Sequence, residues 1–509
     1  MQKHSLIAMA VALFAAGCTM APHYQRPAAP VSGSFPTGGV YATQPVAAAG
    51  AVSANGQAAT DIGWRDFFAD ARLQRLIEIA LKNNRDLRVS VLNIQAARAQ
   101  YQIQRGASFP TISANGSQTK TRTPLDMSIG NQTIQNQYSV GVNGSWELDF
   151  FGRIQSLKDQ ALAQYLSTAQ ARKAAEIALV ASVADGYLQV LGADDLLQVT
   201  QNTLKSSQES YRIAKVQFDT GTGSELDLRQ AQTVVETAEA NQQAQARLRA
   251  QAENALVLLI GEPLPVDLAA GLPLNDQNLI TDIPAGLPSD LLTRRPDIMQ
   301  AEESLLAANA NIGAARAAFF PKISLTGNFG TLSPTLGGLF KAGSAAWQFA
   351  PQISLPIFQG GVNKANLDLA TVQKNIQIAQ YEKAIQTAFR EVADGLAARG
   401  TYDQQIQALE RNTFAEQRAL DLSNLRYTNG VDSYLSVLTA QTNLYTAQQS
   451  LVSARVNRLT NLVDLYKALG GGWIERAGEQ PRPADAPVDY SAERAPAAAT
   501  SAASAPSAG

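Results

Sequence analysis

Chemistry needs nucleophiles, proton carriers or metal ligands, and this chain offers few. Of its 509 residues, two are histidine and one is cysteine. His4 precedes Cys18 and His23 follows it closely, so the rest of the chain has neither residue type. His-based acid–base catalysis, Ser-His-Asp or Cys-His nucleophiles and His- or Cys-ligated zinc therefore lack their carriers. There is no GxxxxGK[ST] run, and Gly221-x-Gly223 lies between two helical patterns rather than after a strand, which is not a phosphate cradle. Carboxylate-only catalysis stays formally open through Asp194-Asp195 and Glu302-Glu303, but such pairs read as solvated helix faces. No enzyme activity, cofactor or metal site is expected. The 41 Lys+Arg against 43 Asp+Glu also give no basic surplus for nucleic acid.

Cys18 is the one side chain with a distinctive chemical prospect. Lys3 and His4 form a positive start, Ser5 to Ala16 an apolar stretch, and Ala15-Ala16-Gly17-Cys18 a small-residue end. Residues 1–17 thus read as a secretory signal peptide, too short to span a membrane. The ending resembles the bacterial lipoprotein processing box, which makes the Cys the acylated first residue, carrying fatty acyl chains such as palmitate. Ala15 departs from the usual Leu. An ordinary signal peptide with an incidental Cys is the competing reading, although no second Cys exists for a disulfide. Thr19 fits outer-membrane sorting. No later stretch shows the ~18 apolar residues of a transmembrane helix, so any crossing by the mature chain requires β-strands closed into a barrel.

The elements that would position anything are written twice. Val183-Ala184-Asp185-Gly186 recurs as Val392-Ala393-Asp394-Gly395, and Phe218-x-x-Gly221-x-x-Ser224-x-Leu226 as Tyr427-x-x-Gly430-x-x-Ser433-x-Leu435, both at an offset of 209. Arg105-x-x-x-Phe109-Pro110-x-Ile112 recurs as Arg316-x-x-x-Phe320-Pro321-x-Ile323 at 211. This predicts a signal peptide (1–17), a lipidated extended segment (18–60), repeat 1 (61–270), repeat 2 (271–478) and a disordered Ala/Ser/Pro-rich tail (479–509).

Each repeat carries two period-two stretches, predicted as strands over about 111–120 and 136–150, then 322–331 and 346–358. Tyr138, Val140, Val142, Trp146 and Leu148 alternate with Ser139, Asn143, Ser145 and Glu147. Trp347, Phe349, Ile353, Leu355 and Ile357 alternate with Gln348, Gln352 and Ser354. One reading is a soluble sheet on a core; the other is a barrel wall with its apolar side to lipid. The signal peptide, and the lack of an element to cover the sheet, favour the barrel. Four strands cannot close around a channel, so copies must share the wall, and three would give about twelve strands.

From Arg153 to about Phe218 no proline interrupts a pattern stepping by three and four, and Ile385, Phe389, Val392 and Leu396 repeat it. Helices of some 65 residues would reach roughly 100 Å and must pack side by side, as a helical barrel or a plain coiled-coil stalk.

Several longer segments are specific: Gly63-Trp64-Arg65-Asp66-Phe67-Phe68, Trp146-Glu147-Leu148-Asp149-Phe150-Phe151-Gly152-Arg153, Gly286 to Ile298 with Arg294-Arg295-Pro296-Asp297, and Lys467-Ala468-Leu469-Gly470-Gly471-Gly472-Trp473. With them the chain resembles the outer-membrane factor family (TolC-like proteins) from Cys18 to about Trp473, in its OprM-like lipoprotein branch. The resemblance implies an α+β membrane protein, a homotrimer with a 12-stranded transmembrane β-barrel, four strands per chain, continuous with a long periplasmic α-barrel. It implies a lipid-anchored outer-membrane exit duct for a tripartite RND-type multidrug efflux pump, with a periplasmic adaptor and an inner-membrane pump as partners. The alternative is the duct of a type I protein secretion system; a purely structural trimeric lipoprotein is a rival from another class.

By the same resemblance the periplasmic gate falls on Asp227, an acidic tip position, and Tyr427, the tyrosine that ties neighbouring coils, with Arg426 and Arg229 bonding across helices. Ser436 and Thr439 stand where relatives are often acidic, leaving Asp432, or Asp227 alone, to supply the acidic ring. Gly221, Gly223 and Gly430 mark the tip turns that an adaptor would contact; glycine there permits positive φ.

Overall fold

The computed structural model describes residues 19–41, 58–124, 126, 134–280 and 288–478. The signal peptide, Cys18 and the tail 479–509 lie outside the described residues. The α-helices and strands are, in order, α1 (Trp64–Phe67), α2 (Ala71–Asn83), α3 (Arg85–Gly106), β1 (Thr111–Arg122), β2 (Ile134–Leu148), α4 (Arg153–Asp219) and α5 (Glu225–Ile260). After them come α6 (Pro288–Arg294), α7 (Pro296–Ala317), β3 (Lys322–Ser333), β4 (Ala345–Ser354), α8 (Val362–Thr428) and α9 (Tyr434–Ala468). The halves fold alike, and α4 and α8 are each 67 residues long.

The strands form one antiparallel sheet in the order β1-β2-β3-β4. Its register decides which residues share a face. Val142 pairs with Ala114 and Phe329, Trp146 with Leu325, and Phe329 with Trp347. Ladder partners point the same way, so the apolar members of all four strands gather on one face. Asn143, Asn328 and Gln348 fall on the other. Two strands end earlier than the alternation suggests. Asp149 leaves β2 so that its carboxylate accepts from the Gln155 N–H at the start of α4. β4 stops at Ser354, opposite the first residue of β3, and Pro356 could not extend the ladder.

The strand-to-helix corner is built from charges. Arg153 donates to both oxygens of Glu147 at 2.8 and 2.9 Å, and Lys322 approaches the same carboxylate. Gly152 and Gly361 precede α4 and α8 at φ +68° and +87°, where a side chain would be strained. The duplicated Val-Ala-Asp-Gly motif is a packing device: a Cβ on Gly186 would touch Leu256, and one on Gly395 would touch Leu465. The two contacts are the same contact in the two repeats, letting each long helix lie close on its hairpin partner.

The main core joins α1, α2, α4, α8 and α9. Phe67 stacks on Tyr466 at 4.1 Å, and the Tyr466 hydroxyl donates to the Ile62 carbonyl at 2.6 Å. Two buried polar knots fix the short segments around this core. Asp70 accepts from the Arg72 and Leu272 N–H groups, the Tyr187 hydroxyl and Gln277, pinning the connection between repeats. Arg295 donates to Asp297, Glu391 and the Ala468 carbonyl. An N-terminal strap runs along α7: Arg316 donates to Met20, Asn309 to Pro22, and Arg26 to both oxygens of Glu302.

One expectation needs correction. An 18-residue window of α4 has a mean hydropathy of 1.4, enough by composition to cross a membrane. Its apolar residues are those the core uses: Val180, Val183, Ala184 and Leu188 are buried against the other helices. The same stretch carries Asp185, whose Oδ1 is buried without a partner. Burial, with Asp464 nearby and Lys467 opposing, pushes its pKa up to about 7. Below an ordinary carboxyl pKa of about 4, both folded and unfolded chains hold this proton. From there to about pH 7 only the folded chain holds it, so stability falls across that window and stays lower above it. Asp185→Asn is therefore expected to leave the thermal midpoint unchanged at pH 4 and to raise it at pH 8, by the equivalent of roughly 2–4 kcal/mol. Thermal unfolding at the two pH values checks this.

Candidate functional site at the helical tips

The far ends of the two hairpins, α4–α5 and α8–α9, come together and carry most of the residues singled out above. Both long helices end in the same way. Gly221 and Gly430 have φ +76° and +69°. The N–H after each glycine reaches back five residues, Thr222 to Gln217 and Val431 to Arg426, both at 2.9 Å. This pattern closes a helix with a left-handed residue and satisfies its last carbonyls. The Ser224 hydroxyl then accepts from the Asp227 N–H at 3.1 Å and caps α5. Gly223 is needed for space, since a Cβ there would press on Gln217.

The second turn differs. Asp432 stands at the position equivalent to Gly223, and its carboxylate accepts from the Ser433 N–H, the Ser436 hydroxyl and, at 3.3 Å, the Arg426 guanidinium. These bonds hold the Asp432 carboxyl below its usual pKa. The second tip is thus stapled by a charge and the first only capped by a hydroxyl.

Four helices meet just behind the turns around Ala214, Ala231, Leu420, Tyr434, Val437 and Ala440. The Tyr427 hydroxyl donates to Gln217 Oε1 at 2.8 Å, from α8 to α4, and its ring meets Tyr434 edge-on at 5.3 Å. Tyr427 therefore ties the two hairpins of one chain together through Gln217, which sequence reasoning missed. Tyr434 was missed too: it is almost fully buried and its hydroxyl has no partner. Burial, then the Tyr427 and Asp227 charges, push its pKa up to about 12. The duplication could have flagged Gln217, because it is the counterpart of Arg426.

Asp227 is half-exposed and near enough to Tyr427 to raise its pKa, after burial as the larger cause. Among the described residues the two arginines do not bond to another hairpin. Arg229 pairs with Glu225 at 3.4 Å on its own helix, and Arg426 with Asp432 in its own turn. Thr439 donates to the Leu435 carbonyl. Among the described residues there is no His/Cys/Asp/Glu group able to hold a metal ion.

Two-edged sheet, 67-residue helices and paired tips have a clear match among known proteins. Residues 76–262 and 287–471 each match the sequence pattern of the family described as outer membrane efflux protein. The chain belongs to that family. It is 50% identical over 478 residues to the probable efflux pump outer membrane protein TtgC of Pseudomonas putida, spanning 93% of this chain and 97% of the relative. It is 44% identical to the outer membrane protein OprJ of Pseudomonas aeruginosa over 92% and 96%. Among solved structures, the open state of the Neisseria gonorrhoeae MtrE channel superposes with a TM-score of 0.79 at 42% identity, covering 91% of this chain and all of that one. The Campylobacter jejuni CmeC channel gives 0.81 at 26% identity, covering 91% and 96%. The expected α+β fold of a TolC-like outer membrane channel is therefore the observed one, and family members are efflux channels, not enzymes.

Proposed function

We propose that three copies of this outer membrane efflux protein close into a passive exit duct, gated at the helical tips, for a tripartite pump driven by an inner-membrane RND transporter through a periplasmic adaptor. One observation carries the reading. The sheet has an apolar face with Trp347 77% and Ile353 69% exposed, a polar face behind it, and an open edge on both β1 and β4. No element of the chain covers that face among the described residues, and lipid would. The duplication supplies the closure rule. Within the chain β2 pairs with β3 and α4 packs on α7 and α9. The equivalent pairings left open are β4 with β1, and α8 with α3 and α5, which only neighbouring copies can complete.

The strap supports a lipid on Cys18. Met20 lies at Arg316, close to where α7 hands over to β3, so the described strap begins at the level of the sheet's membrane edge. Exposed Phe109, Phe319, Phe320 and Phe358 at the same level suit a headgroup belt.

At the tips, three copies of Asp227 with the Tyr427–Gln217 tie would hold the duct shut, and a carboxylate ring would favour cations. Asp227→Ala with Tyr427→Phe is expected to raise single-channel conductance several-fold in planar bilayers. Unchanged conductance would remove this latch while leaving the duct. The pump assignment is tested by a deletion strain: increased susceptibility to antibiotics is expected, and loss of a secreted protein with unchanged susceptibility would point to secretion instead.

A further inference from the structure

Above the tips, α5 and α9 both pack on α4 but touch each other little. They leave a groove of about 300 Å³ between them, lined by Thr200, Val234, Ala238, Leu438, Gln441 and Tyr445 among others. We infer that this groove is a binding site for small uncharged molecules that carry a hydroxyl on an apolar body.

The hydrogen-bond inventory of the lining defines the ligand. Gln441 is 5% exposed, and its Oε1 is buried with no partner. Its amide orientation is fixed by its neighbour. The Ser207 hydroxyl donates to the Thr203 carbonyl, so it can only accept from Gln441, at 2.8 Å. One of the two Gln441 Nε2 hydrogens is thereby used, and Oε1 remains as an acceptor without a donor. A second acceptor follows in the same way. Thr200 donates to the Leu196 carbonyl, so the Tyr445 hydroxyl must donate to Thr200, at 3.1 Å, leaving the Tyr445 oxygen able only to accept. The hydroxyls of Thr203, Thr233, Thr237 and Thr442 are likewise spent on helix carbonyls. Apart from the amides of Gln230 and Asn241 and the second N–H of Gln441, the groove offers acceptors and wants a donor.

Charge and size narrow the class. No lining residue is charged, so an ion entering would lose its hydration without compensation. The lining is mostly apolar surface, and the volume is at the small end for ligand pockets. A helix ~10 Å across could not enter it. A phenol or short alkanol meets all three conditions. Because its walls belong to two helices that otherwise barely meet, an occupant would wedge α5 against α9.

The test uses the full protein held in lipid nanodiscs, with empty nanodiscs titrated as the baseline. Calorimetric titration with 4-propylphenol is expected to show one saturable site per chain. Its methyl ether, 4-propylanisole, has no donor and is expected to bind at least ~10-fold more weakly. Gln441→Leu should narrow the gap between the phenol and the ether and leave the ether unchanged. Val234→Trp should abolish binding of both from the groove wall, with the Gln441–Ser207 bond intact; gel migration like the parent protein separates this from misfolding. No saturable phenol binding, equal binding of phenol and ether, or undiminished phenol binding by Gln441→Leu would each overturn the site.

Discussion

Phe349→Arg is expected to abolish stable insertion into the outer membrane, whereas Gln348→Arg, one residue away, is expected to be tolerated. Phe349 pairs with Gly327 at the middle of both strands, so it falls near the centre of the apolar band. It is 61% exposed in the chain, and the proposed environment for it is lipid. An arginine on the lipid face near the midplane costs roughly 2–4 kcal/mol, and three copies would each bear it. Gln348 shares the opposite face with Asn328, from whose amide N–H its Oε1 accepts a weak hydrogen bond, and a charge there would meet water. Membrane fractionation and heat-modifiable migration on gels measure both variants. If Phe349→Arg inserts as well as Gln348→Arg, the assignment of the two faces is wrong.

The second large effect is expected at Arg295. Arg295→Met should lower stability by roughly 2–4 kcal/mol, read as a drop of the thermal midpoint, because it strands groups arranged around a buried cation. The Arg295 guanidinium donates to both Asp297 oxygens at 3.0 and 2.6 Å, to Glu391 at 2.7 Å and to the Ala468 carbonyl at 3.0 Å. It thus joins the start of α7, the middle of α8 and the end of α9. Asp297 and Glu391 stay partly exposed and can recover hydration, which keeps the cost below that of a fully buried pair. Arg295→Lys should recover only part of the loss, since an ammonium cannot match the planar fork. Arg294→Met should be near neutral, because Arg294 is exposed.

The two adjacent arginines illustrate where sequence reading stops. The segment Arg294-Arg295-Pro296-Asp297 was recognisable as specific, but nothing in it says which arginine is buried. That depends on α8 and α9 arriving from 96 and 173 residues further along. The tips show the same division. Positive φ at Gly221 and Gly430 was legible because each closes a long helical pattern three residues before a serine that starts the next one. Tyr427 as a tie was legible through resemblance, but its partner Gln217 lies on another hairpin, and Tyr434 looked like any apolar helix residue. Arg229 and Arg426 were expected to bond across helices, and within the chain they turn to Glu225 and Asp432, which local geometry brings closer. In the sequence, Glu176 and Asp185 break the apolar run of α4 and hide its mean hydropathy.

By itself the sequence determined the duplication, the alternating strands, the uninterrupted helices and the near absence of histidine and cysteine, since all of these are periodic or compositional properties of a linear chain. Only the tertiary structure decided which strand lies beside which, how the apolar members of four strands come to share one face, and which polar atoms are left inside without partners. Those depend on register and on the meeting of segments far apart in the chain, where a one-residue slip would turn every strand side chain to the opposite face.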